Sequence, residues 1–137
     1  MGWDVDAFKV TIFDSGDQSF EASTVSQVGR AVVSTLRHLE ETMSTYVYIN
    51  SFTLSQNKVL SLLEKLTGKK FEITMGSSKE IAARGKEHVK QGDFENGYPE
   101  IVTAAAYGPW GFCDFGEKTA EWNKILDYQT KSSWIRL

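Results

Sequence analysis

The chain has 137 residues, 41% of them hydrophobic and 24% charged, with a formal net charge of −3. That size predicts one domain over residues 1–137 with a buried core of ordinary proportions. A weakly acidic surface of interleaved acids and bases excludes the electrostatic footprint of a nucleic-acid partner, and there is no basic cluster to hold an anionic membrane.

The opening Met1-Gly2-Trp3-Asp4-Val5-Asp6 carries two early acids and no apolar run, so no secretory signal is expected. No apolar stretch approaches a membrane span, and a cytoplasmic location is expected. Lys9 to Asp14 alternates, with Val10 and Ile12 on one face, which predicts a strand. Ser15-Gly16-Asp17 is a turn signal. Thr24 and Gln27 form a capping box, and Val25, Val28, Val32 and Leu36 then recur at helical spacing. Gly29 inside that helix costs about 1 kcal/mol against alanine, so close packing against a neighbour is expected there.

Tyr46-Val47-Tyr48-Ile49 is β-branched and aromatic and reads as a second strand. Ser55 suits an N-cap, Val59, Leu62, Leu63 and Leu66 make an apolar stripe, and Gly68 ends that helix. Phe71, Ile73 and Met75 predict a third strand. A second capping box, Ser77 to Glu80, opens an outer helix to about Gly92 whose inner stripe is Ile81, Gly85 and His88 or Val89. Pro99 suits the first turn of a further helix, and a last helix is expected from about Glu117 to Leu126. Residues 127–137 read as an aperiodic tail. Strands alternating with helices give an α/β class with a small three-stranded sheet and packed helices.

Several of these stretches, in this order, are similar to the C-terminal, substrate-side lobe of NmrA-like, isoflavone-reductase-type proteins, which are atypical short-chain dehydrogenases. Thr11-Ile12-Phe13-Asp14-Ser15-Gly16 resembles the strand and turn that enter that lobe. Thr24 through Val32 resembles its T-x-x-x-[IV]-G-x-A helix. Glu40-Glu41-Thr42, then Tyr46-Val47-Tyr48, are similar to the next loop and strand. The most specific stretch runs from Ser51-Phe52-Thr53-Leu54-Ser55-Gln56-Asn57 into Leu63 through Lys70, and Ala105-Ala106-Tyr107-Gly108 is similar to a late helix end. The match spans roughly residues 3 to 126. Neither Gly-x-Gly-x-x-Gly nor Gly-x-x-Gly-x-x-Gly occurs, and the Tyr-x-x-x-Lys pair of related dehydrogenases is missing. The resemblance therefore implies a substrate-side role without a bound dinucleotide, and no cofactor is expected.

Gly111 through Thr119 is a near miss to a phosphate loop, but Glu117 stands where glycine should meet lysine and no strand leads into it. His38 and His88 show no metal-ligand spacing, and a lone Cys113 offers neither a disulfide nor a cysteine zinc site, so no metal is expected. His88, on the inner stripe of its helix, is a candidate base if a carboxylate stands within reach. Asp93, Glu95 and Glu100 read as solvated loop charges, and Cys113 as a small buried hydrophobe. The loop from Tyr107 to Gly116 sets four aromatics between glycines beside one carboxylate. Tyr107, Trp110, Phe112 and Asp114, together with His88, are the expected substrate-binding residues of a pocket for an aromatic or polycyclic molecule. The alternatives are a redox-neutral isomerase or cyclase of secondary metabolism, and a fragment of an NAD(P)-dependent reductase completed by a partner chain. The absent Rossmann half implies bare apolar surface, so a homodimer is expected to cover it.

Overall fold

Val10 and Ile12 alternate with polar neighbours along strand β2 (Lys9–Phe13), and both apolar chains are buried, at 2% and 3% exposure. In the computed structural model, which describes residues 2–127, this strand is the middle of a mixed three-stranded sheet. Its antiparallel neighbour is the short β1 (Trp3–Asp4), with Trp3 opposite Val10. Its parallel neighbour is β5 (Glu72–Gly76), with Val10 opposite Ile73 and Ile12 opposite Met75. The α/β class read from the sequence is the class adopted.

The described chain divides into two compact units, one made of residues 2–20 with Leu54–Cys113, the other of Glu21–Thr53 with residues 114–127. In the first unit, α3 (Gln56–Thr67) lays Leu60 and Leu63 on Val10, Ile12 and Phe71. The stripe expected on this helix was Val59, Leu62, Leu63 and Leu66; Leu63 packs on the core, Leu66 is exposed, and Leu60 joins the contact instead. Ser55 caps the helix by accepting the Lys58 N–H, and Gly68 closes it in a left-handed conformation at φ +68°. Burial fades at the sheet edge, where Ile73 and Met75 stand exposed.

β1 covers only the first half of β2. Beyond it the Gln56 side chain completes the ladder. The Phe13 N–H donates to Gln56 Oε1 and Gln56 Nε2 donates to the Thr11 carbonyl, both at 2.9 Å, with Gln56 1% exposed. Asn57 fixes the following turn, where Gly16 has φ +72°: its N–H donates to the Gly16 carbonyl, and Nδ2 donates to Ser15 O and to Asp17 Oδ1.

Two more helices follow β5. Ser77 caps α4 (Ser78–Lys90), and Asp14 accepts from both the backbone N–H and the hydroxyl of Ser78. Asp93 caps α5 (Phe94–Tyr107) by accepting the Asn96 N–H. The helix expected to open at Pro99 thus begins five residues earlier, because an aspartate cap decides the start and the proline is tolerated inside.

In the second unit, Thr24 caps α1 (Val25–Arg37), and α2 (Leu39–Thr42) and α6 (Gly116–Ile125) complete the helices. Ala31 and Leu126 are its buried apolar centre, with Val47, Ile49 and Trp122 packed on them. The strand expected at 46–49 does not form. Val47 and Ile49 do turn inward, but the segment has no ladder partner, and the pairing falls instead to β3 (Phe20–Ala22) and β4 (Phe52–Leu54). From residue 128 onward the expected aperiodic tail lies outside the described residues. Among those described, no helix is long and apolar enough to cross a membrane.

Replacing Gln56 by leucine keeps the side-chain bulk and strips two backbone groups of their partners. A loss of about 2–4 kcal/mol is expected, since each buried unpaired group costs about 1–3 kcal/mol. Urea unfolding followed by circular dichroism measures it, and an unchanged midpoint would contradict the role given to this amide.

Candidate functional site

The residues expected to line one pocket fall on several elements. Tyr107 ends α5 as a core residue, stacked on Phe13 with ring centroids 6.0 Å apart and edge-on to Phe20 at 5.4 Å. Burial pushes its phenol above the ordinary range, and a hydrogen bond with Trp3 works against that shift. Trp110 and Phe112 do come together, stacked at 6.2 Å, but they stand 46% and 64% exposed on the loop surface. Asp114 belongs to the second unit, where it precedes α6. His88 lies in the first unit on α4. Burial also raises the pKa of the half-buried Cys113 thiol, which leaves little thiolate for nucleophilic work.

His88 does have the carboxylate that a base would want. Its Nδ1 lies 3.2 Å from Glu100 Oε2, and Glu100 Oε1 accepts from Arg84 Nε at 2.6 Å. The His88 and Glu100 atoms face each other closed off from solvent, as a close contact without the alignment of a hydrogen bond. Glu100 is therefore no solvated loop charge and Asp93 is a helix cap, while Glu95 is solvated as expected but sits in the first turn of α5 rather than in a loop. Asp93 is held below the usual carboxylate range chiefly by the Asn96 side chain. The arrangement clasps α4 to α5. It does so at very short range because Gly85 and Gly97 bring the two backbones together. A methyl group at Gly85 would meet the Gly97 carbonyl at 2.8 Å.

In the second unit, α6 opens within the near-miss phosphate loop, where Asp114 through Lys118 line a hollow of about 300 Å³. Phe115 provides no side-chain cap for α6, and Glu117 puts a negative charge in its first turn. Nearby is a polar network that no sequence signal announced. The Asn50 side chain and the Thr53 hydroxyl both donate to the Glu21 carboxylate, and Asn123 Nδ2 donates to Asn50 Oδ1 at 3.2 Å.

An open cleft of about 710 Å³ runs along α1. Arg30, Val33, Ser34 and Arg37 form one wall, and Leu126 and Asp127 also line it. The Ser34 hydroxyl donates to the Leu126 carbonyl at 2.5 Å, which ties α1 to the end of α6. His38 sits at the end of the cleft with its Nδ1 2.9 Å from Ser34 O; a carbonyl only accepts, so this nitrogen carries the proton. Gly29 opens onto the cleft, with nothing within 4 Å of where a side chain would begin. The close packing expected at Gly29 is absent, and it is found at Gly85 and Gly97 instead.

The opposite side of α1 carries the valine stripe, and it faces outward. Val25 is 89% and Leu36 62% exposed, with Val28 and Val32 also uncovered, while Gln27 and Ala31 are the residues turned inward. Val28, Val32 and Leu36 edge an apolar groove of about 240 Å³ floored by Val47 and Ile49.

The chain is similar to two curated fungal proteins. It is 29% identical over 107 residues to Oxidoreductase poxI of Penicillium oxalicum, covering 78% of this chain and 34% of that protein. It is 32% identical over 92 residues to Oxidoreductase aprR of Aspergillus flavus, covering 67% of this chain and 31% of that protein. The chain thus spans about a third of the length of the curated relatives it matches. No family model matches it, and no solved structure does.

The two helix glycines should respond oppositely to alanine. Gly29→Ala is expected to stabilise by about 0.5–1 kcal/mol through helix propensity alone. Gly85→Ala gains the same propensity but drives Cβ into backbone, so a net loss of about 1–3 kcal/mol is expected. Thermal melting of the two variants decides it, and a stabilised Gly85→Ala chain would refute the close helix contact.

Proposed function

We propose that this chain is the substrate-side lobe of an NmrA-like, isoflavone-reductase-type oxidoreductase, and that it binds an aromatic or polycyclic small molecule without itself holding a dinucleotide. The α1 cleft carries the reading: about 710 Å³ is the size of a small-molecule site, and its lining mixes apolar and polar groups. The oxidoreductase names of the relatives support the class. The absence of a glycine-rich phosphate loop from the sequence supports leaving the dinucleotide out. A second reading, a reductase fragment completed by a partner chain, is favoured by the chain's spanning only a third of those relatives. No specific observation favours a redox-neutral isomerase.

The outward stripe of α1 supports a second proposal, a homodimer. Val25, Val28, Val32 and Leu36 line one helix face with no charge among them, and a two-fold pairing of identical helices buries such a face against itself.

Calorimetry of the full chain with NADPH is expected to give no binding heat; measurable binding would return hydride transfer to this chain alone. For the lobe reading, 1-naphthoate and 1-naphthamide are titrated into ¹⁵N-labelled protein. Binding of either at the Gly29 and Ser34 amides is expected, and binding of neither there would overturn the reading. Light scattering should give twice the 15.4 kDa chain mass, reverting to one chain mass on Leu36→Lys. A single chain mass for the unaltered protein at high concentration would sink the dimer.

A further inference from the structure

We infer that the ligand of the α1 cleft is an anion, an aromatic carboxylate seated between Arg30 and Arg37. The inference rests on the reading that this cleft takes a small molecule, and it names the chemistry that the cleft selects.

Arg30 and Arg37 are seven residues apart, two turns along one helix face, so their stems start about 10.5 Å apart by the helical rise. Long flexible side chains at that spacing can close on one small group placed over Val33 and Ser34. Both guanidinium groups are uncommitted, making no hydrogen bond or ion pair with any described residue. Other polar groups of the cleft are already in use: the Ser34 hydroxyl serves Leu126 and the His38 Nδ1–H serves Ser34. Asp127 also lines the cleft and offsets one of the two arginines, which leaves a net positive lining whatever the state of His38.

Arginine suits this ligand class twice over. Its planar fork matches the two oxygens of a carboxylate, and its flat face stacks on aromatic rings. Val33 and Leu126 supply apolar contact for the ring. Gly29 keeps a side chain out of the cleft and leaves open space there. The groove on the other side of α1 has neither property. It has no charged residue and holds only about 240 Å³, below the usual range for a ligand site.

The test compares 1-naphthoate with 1-naphthamide, which has the same shape and no charge, on the full ¹⁵N-labelled chain. The acid is expected to bind at least about tenfold more tightly at the Gly29 and Ser34 amides, and to weaken as salt is raised. The double variant Arg30→Gln, Arg37→Gln is expected to erase that preference; both positions are exposed, and the same spectra report whether the variant is folded. Equal binding of acid and amide would overturn the inference and leave the lobe reading standing. A preference that survived in the double variant would also overturn it. Binding of neither probe at the cleft would overturn both.

Discussion

The side-chain amide of Gln56 does for β2 what a neighbouring strand would do. β1 is two residues long, so the central strand runs out of backbone partners beside Thr11 and Phe13 while still buried. An amide offers one acceptor and two donors, and Gln56 uses an acceptor and a donor on these two groups. Leucine would fill the same volume and leave both groups unpaired in a water-free setting, where the energetic cost is greatest. The residues on either side are as constrained. Ser55 caps the helix that carries the amide, and Asn57 holds the turn that ends the strand. At these three positions the residues are thus structural devices rather than chemistry.

Helix α1 is organised by contrast between its sides. Its inward line is Gln27 and Ala31, neither a large hydrophobe, so the helix sits close to its own small core and contributes little apolar area to it. The valines that would ordinarily face inward are uncovered, and the arginines on the far side have no protein partner among the described residues.

Much of the architecture was legible because it is written locally. Thr24, Ser55 and Ser77 each sit where a hydroxyl can take up a free helix N–H, and Gly68 sits where a left-handed residue must close a helix. The strands at Lys9–Phe13 and Glu72–Gly76 followed from alternation. The misreadings share a cause, which is that periodicity gives a stripe but not what the stripe meets. The valines of α1 were regular and faced out; Tyr46 to Ile49 alternated and found no ladder. Pro99 was read as a helix start because nothing local revealed that Asp93 would cap the helix five residues sooner. Glu100 could not be joined to His88 or Arg84 before α4 and α5 were brought together, and the cleft on α1 needs Leu126 and Asp127 from the far end of the described chain.

Both units are discontinuous in sequence, and this has a consequence for how the molecule comes into being. The link between Ser34 and Leu126 spans 92 positions, and Gln56 reaches back 43 and 45 positions to β2. Contacts of such separation carry a large loop-closure cost before they are rewarded, which slows folding. During synthesis α1 emerges well before Leu126 and Asp127, so the helix that forms one wall of the cleft precedes the residues that complete it. The α1 cleft is therefore completed late in folding relative to the helix that walls it.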